Sequence, residues 1–99
     1  MIAAGRDSAL LRLTLGNLYL EEGEASAAVE HLQRAVELDR GYAAAWKQLG
    51  KAWLALDRKD EARAAWHAGI EAATAKGSVQ AAKEMQVQLR RLDKTGGQP

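Results

Sequence analysis

Apolar residues return every three or four positions along most of this chain, and the strings they form are broken by glycine or by short polar runs. Leu11, Leu15, Leu18 and Tyr19 share one face at that spacing, which predicts a helix over residues 8–22. Asp7 or Ser8 can cap its first turn, and Gly23 ends it. Ala25, Ala28, Val29, Leu32, Val36 and Leu38 predict a second helix over 25–39, closed by Gly41. Ala45, Trp46, Leu49, Trp53 and Leu56 predict a third over 43–57. The polar run Asp57-Arg58-Lys59-Asp60 reads as a turn. Ala62, Ala65, Trp66, Gly69, Ile70 and Ala73 then predict a fourth helix over 60–75. Gly77-Ser78 punctuates, with Ser78 a candidate cap. Val79, Ala82, Met85, Gln86, Leu89 and Leu92 carry a fifth helix to about Asp93, and residues 94–99 form a Gly-rich polar tail expected to fray.

The pattern repeats with a period of 34 residues. Leu15-Gly16 aligns with Leu49-Gly50, Tyr19 with Trp53, and Leu20 with Leu54. Ala28 aligns with Ala62, Leu32 with Trp66, Ala35 with Gly69, and Val36 with Ile70. Repeat one spans about 9–42 and repeat two about 43–76, with a closing helix over 77–93. A glycine inside a helix costs about 1 kcal/mol relative to alanine, so its recurrence at 16 and 50 implies a close helix approach. Ala28 and Ala62 are the expected opposing small residues, with Tyr19, Trp53, Leu32 and Trp66 filling the remaining space. Lys83 and Glu84 stand where a third copy would have leucine and glycine. The fifth helix therefore reads as a polar-faced cap, its outer face supplied by Gln88, Arg90, Arg91 and Lys94.

Leu15-Gly16-x-x-Tyr19 with Ala28, Leu32 and Ala35 resembles the tetratricopeptide repeat. Trp46-x-x-Leu49-Gly50-x-x-Trp53 with Ala62 and Trp66 is the better copy. The first copy departs from the pattern at Arg12, where a large apolar residue is usual. The usual late alanine is Gly69 in copy two, and the usual proline between units is replaced by Arg40 and Thr74. The chain as a whole is similar to short bacterial tetratricopeptide proteins, through Leu15-Gly16-Asn17-Leu18-Tyr19-Leu20, Ala44-Ala45-Trp46-Lys47 and Ala81-Ala82-Lys83-Glu84-Met85. The resemblance implies an all-α fold of five helices in one domain, with antiparallel helix-turn-helix repeats in a curved α-α superhelix. Such proteins often carry one more helix in front, so Leu10 and Leu13 are expected to be exposed or covered by a partner.

The resemblance also implies a concave groove lined by the first helix of each pair. Copy one would offer Leu10, Leu13, Asn17, Leu20 and Glu21. Copy two would offer Lys47, Gln48, Lys51, Leu54 and Ala55, and the fifth helix Ala81, Met85 and Gln88. Lys47 and Lys51, four apart, share a face whatever the family, and with Asn17 they suit a carboxylate or an acidic peptide. The match to relatives that clamp a chaperone's C-terminal carboxylate is poor. Leu13, Gln48, Ser78 and Ala82 stand where that clamp has basic residues or a second asparagine.

Composition narrows the function. The 99 residues allow one domain. Fourteen basic residues against thirteen acidic ones lack the excess of a general nucleic-acid binder. There is no cysteine, hence no disulfide and no thiolate chemistry. No targeting segment or membrane span is visible, and the cytoplasm is the expected setting. His31 and His67 have no second histidine or cysteine at ligand spacing and read as helix-surface residues. Ser8, Ser26 and Ser78 lie near helix starts and read as caps rather than nucleophiles. The acidic groups Glu21-Glu22, Glu37/Asp39 and Asp57/Asp60-Glu61 read as solvated faces. No cofactor, metal or catalytic role is expected. The reading is a non-catalytic module or small scaffold that binds a peptide or protein. One alternative is a homo-oligomer formed through Leu10, Leu13 and Leu20. Another is an RNA-associated adaptor resting on Arg90-Arg91-Lys94.

Overall fold

Alanine- and leucine-rich segments without internal proline favour helix, and the residues that interrupt them decide where each helix stops. The computed structural model describes residues 7–96, with side chains as far as Lys94. Its helices are α1 (Ala9–Glu21), α2 (Ala25–Leu38), α3 (Ala43–Ala55), α4 (Lys59–Ala75) and α5 (Val79–Gly96). α5 outruns its expected end at Asp93 and takes in the start of the expected tail. Residues 97–99 of that tail, and residues 1–6 with their reading as free of a targeting segment, lie outside the described residues.

Helix ends follow local chemistry. Ser8 Oγ accepts from the Leu11 N–H at 3.0 Å and caps α1. Ser26 does not cap: it sits inside α2, whose N-cap residue Glu24 makes no side-chain capping bond. Lys59 and Asp60 belong to α4 rather than to the turn before it. Gly23 (φ +77°), Asp57 (φ +59°) and Gly77 (φ +72°) end α1, α3 and α4 in the left-handed region. The next N–H closes each turn back onto the helix: Glu24 onto the Tyr19 carbonyl (2.8 Å), Arg58 onto Trp53 (2.9 Å) and Ser78 onto Ala73 (2.8 Å). Asp57 lies 34 residues after Gly23, so the repeat keeps the turn and changes only the residue.

Successive helices pack as antiparallel neighbours. α1 also touches α3, and α3 touches α5, whereas α2 and α4 share no contact among the described residues. The first helices of the pairs are therefore drawn together and the second helices splay apart. The layer bends with α1, α3 and α5 on its concave side, within an envelope of 47 × 31 × 17 Å.

The core runs along this layer, and Trp66, Leu32, Leu49, Met85 and Val36 are its largest fully buried side chains. Ala28, Trp46 and Ala62 are buried, and Tyr19 and Trp53 pack against the core at its edge. The glycines do not face Ala28 and Ala62 as expected. A Cβ at Gly16 would lie 2.5 Å from Leu32 Cγ, and one at Gly50 would collide with the indole of Trp66. Each glycine is thus a seat for the largest buried residue of the second helix. Met85 and the Trp46 Cβ fill the space over Gly69 in the same way.

α1 differs most from expectation. Leu11, Leu15, Leu18 and Tyr19 share the apolar face that predicts the helix, and Leu15 is an expected core residue, yet Leu18 is exposed and Leu11 and Leu15 are only half-buried, outside the core cluster. The buried positions of α1 are Leu13 and Gly16, with Tyr19 and Leu20 packed beside them. Leucine occupies more than one side of this helix, so two stripes compete, and the one bearing the glycine seat faces α2. Arg12, the departure from the repeat pattern, is tied to Asp7 through two bonds of 2.8 and 3.2 Å and meets His31 Nδ1 at 3.0 Å. The His31 ring stacks on Tyr19, and Arg34 from α2 reaches the same Asp7 at 3.2 Å. Arg12 and Arg34 hold the Asp7 carboxyl below its ordinary value of 3.8, the Arg12 hydrogen bond contributing most.

Candidate functional site

The concave face is assembled by the repeat itself. Packing α1, α3 and α5 side by side puts their corresponding positions in a row, and two polar contacts stitch that row together. Gln48 Nε2 of α3 donates to Asn17 Oδ1 of α1 at 2.7 Å. Lys47 Nζ of α3 donates to Glu84 Oε1 of α5 at 2.9 Å. The Lys47 backbone is anchored from below, because its carbonyl accepts from the Trp66 indole N–H at 3.1 Å. That approach exists only because Gly50 has no side chain.

Around these contacts, Leu54, Glu21 and Lys51 are exposed, while Leu20 is half-buried. Leu20 and Ala55 open onto a depression of about 260 Å³ beside the α1–α2 turn. Two residues expected in the groove are absent from it. Leu13 is 9% exposed and belongs to the core, and Met85 is fully buried beneath Trp46. Leu10 is exposed on α1. Ala81 and Gln88 are half-buried on α5.

Glu84 is the residue that sequence reasoning missed. It read only as a break in the repeat pattern, whereas it is the carboxylate that pairs with Lys47. Its carboxyl is held below its ordinary value of 4.5, first by the Lys47 hydrogen bond and charge, then by a hydrogen bond from Gln80, with Lys51 adding a weaker pull. The partners are 37 residues apart, so no spacing rule within one helix reveals them. The row therefore carries one lysine already paired, one lysine without an ion pair, a satisfied amide couple and an apolar end at Leu54.

The opposite side carries depressions too. The gap between α2 and α4 is floored by Trp53 of α3, a half-buried ring with the Arg58 guanidinium 5.5 Å from its centroid. Beside it, between α1, α2 and Trp53, a depression of about 470 Å³ is lined by Arg12, Val29, Gln33 and Glu37. A second, of about 280 Å³, runs on past Trp46 and Glu61. Among the described residues, no group of three His, Asp or Glu side chains is placed to hold a metal ion. No helix among them is long and apolar enough to cross a membrane.

Helix pairs repeating at 34 residues, glycine seats under Leu32 and Trp66, and a concave row of first helices define a tetratricopeptide-type solenoid. The tetratricopeptide repeat family model matches residues 19–85, and the chain belongs to that family. It is 52% identical over 94 residues to the TPR repeat-containing protein PA0015 of Pseudomonas aeruginosa, covering 95% of this chain and 90% of that protein. It is also similar to the solution structure of BPP2914 from Bordetella parapertussis (TM-score 0.81, 44% identity, covering 92% of this chain and 79% of that one). A tetratricopeptide repeat domain protein from Salinibacter ruber has a TM-score of 0.82 at 28% identity, covering 89% of each chain. Domains of this family generally mediate protein–protein interaction and are typically non-catalytic.

Proposed function

We propose that this chain is a non-catalytic interaction module, cytoplasmic in setting, that takes a peptide or protein segment along its concave face. The observation that carries the reading is the row itself. Asn17, Lys47, Gln48 and Lys51 come from two helices and are joined by the Asn17–Gln48 contact, with α5 brought in through Lys47–Glu84. A row of hydrogen-bonding side chains ending in the exposed Leu54 suits an extended segment with an acidic group near an apolar one. In this reading a partner carboxylate competes with Glu84 for Lys47, and Lys51 is the first cation it meets.

The test is capture of a partner from the source organism's lysate by the native chain and by the Asn17→Ala/Lys47→Ala/Lys51→Ala variant. Circular dichroism first establishes that the variant is folded. Loss of a specific partner by the variant supports the concave face, and a partner retained equally by both rejects it. The cluster Arg90, Arg91 and Lys94 does not favour RNA: Asp93 stands within it, and no aromatic side chain interleaves it for base stacking.

A further inference from the structure

We propose that the outer face of α1 is a self-association surface, on which α1 of a second copy of this chain packs antiparallel and crosses at Thr14. Leu10 and Leu18 are 65% and 50% exposed. Leu11 and Leu15 lie beside them, half-covered and outside the core cluster. Thr14 stands between, with its hydroxyl turned back to donate to the Leu10 carbonyl at 2.9 Å, so it presents no unsatisfied donor. None of these five positions is charged. A contiguous apolar stripe of this kind on a soluble chain marks a contact surface.

The second repeat indicates what kind of body covers such a face. Ala45, Leu49 and Ala52 occupy in α3 the places that Leu11, Leu15 and Leu18 occupy in α1. They are 0%, 1% and 0% exposed, on the side of α3 turned to the first repeat. The face is built to receive a helix, and among the described residues none lies on it in α1.

Three observations favour a second copy as that helix. The two exposed leucines are symmetric about Thr14: Leu10 lies four residues before it and Leu18 four after. An antiparallel copy crossing there sets each Leu10 against the partner's Leu18, which is the self-complementarity a two-fold interface requires. Second, α1 carries Glu21 and Glu22 at its C-terminal end, no acid in its first turn and no base in its last. Both carboxylates therefore oppose the dipole of their own helix, and an antiparallel copy places them by the partner's helix N-terminus, where they are favourable. Third, Asp7 at that end is already neutralised by Arg12 and Arg34, which hold it toward α2 and away from the leucine face. A seam along one helix about 20 Å long is smaller than the roughly 800 Å² per partner of a standard interface, so a weak, concentration-dependent dimer is expected.

The test is sedimentation equilibrium from about 10 μM to about 1 mM on the native chain and on Leu10→Lys and Leu18→Glu, with melting curves establishing that both variants fold. The native chain is expected to pass from monomer to dimer, and each variant alone to stay monomeric. An equimolar mixture of the two variants is expected to associate again. It keeps one Leu–Leu contact and replaces the other with an opposite-charge pair. A native chain that stays monomeric throughout overturns the proposal and leaves the face to another protein or to the chain preceding Ser8. A native dimer unaffected by either variant overturns the surface, and a mixture that stays monomeric overturns the antiparallel register.

Discussion

α1 and α3 are the same helix written twice, and they differ in what lies on their backs. In α3 the positions 45, 49 and 52 hold alanine, leucine and alanine, buried in the solenoid. In α1 the matching positions are three leucines, one of them exposed and two half-covered. The small residues sit where a neighbouring helix approaches closely, and the large ones where no neighbour among the described residues does. A repeat therefore specifies which faces are apolar, whereas its place in the stack decides which are covered.

The sharpest way to break this comparison is to place charge on both faces. Ala52→Arg buries a guanidinium with no partner and is expected to cost at least about 4 kcal/mol, enough to unfold a domain of this size. Leu18→Arg, in the matching place, is expected to change monomer stability by no more than about 0.5 kcal/mol. Urea denaturation of both variants at low concentration checks this. Equal losses would mean that the α1 face is covered within the monomer.

The glycine seats sharpen the comparison further. Gly50→Ala drives a methyl group into the rigid indole of Trp66 and is expected to cost about 2–3 kcal/mol after the helix-propensity gain of alanine. Gly16→Ala meets Leu32, which has rotamers available, and is expected to cost about 1 kcal/mol. If Gly16→Ala proves the worse of the two, the rigid-ring argument fails.

Smaller effects come from the helix ends. Asp57→Gly replaces an L-residue in the left-handed region by the residue Gly23 already provides, and is expected to stabilise by about 0.5–1 kcal/mol. A destabilised variant would show that the Asp57 side chain matters more than its backbone conformation. At the start of α1, Asp7 has a folded pKa below its unfolded value. The stability it contributes is therefore present above about pH 4 and is lost as the pH falls through the folded pKa. The melting temperature of Asp7→Asn should lie below the native one at neutral pH and converge with it in acid. Parallel curves down to low pH would contradict the pairing.

Much of this was legible in the chain. The 34-residue register, the glycine seats at 16 and 50 and the ends at Gly23 and Gly77 each rest on local signals: period, missing side chain or left-handed backbone. The face of α1 was not legible, because a helix with leucine at 10, 11, 13, 15, 18 and 20 satisfies more than one apolar stripe. The repeat glycine on the Leu13 side was the signal that would have chosen between them. Leu32 and Trp66, rather than the alanines, oppose the glycines because a missing Cβ makes a hollow, and a hollow accepts the largest neighbour. The placing of Asn17, Lys47, Gln48 and Lys51 on the first helices of the pairs followed from the repeat frame. Glu84 did not, since its contact with Lys47 joins α3 to α5, which are neighbours in space but separated by α4 in sequence.

The account's central claim is that a partner lies along the concave row and not over the gap between α2 and α4. The most direct measurement places a photocrosslinking residue at Lys51 in one chain and at Gln33 in another, then irradiates each with the captured partner. The account predicts a covalent adduct from position 51 and none from position 33. An adduct formed only from position 33 would move the binding surface to the Trp53 side and contradict it.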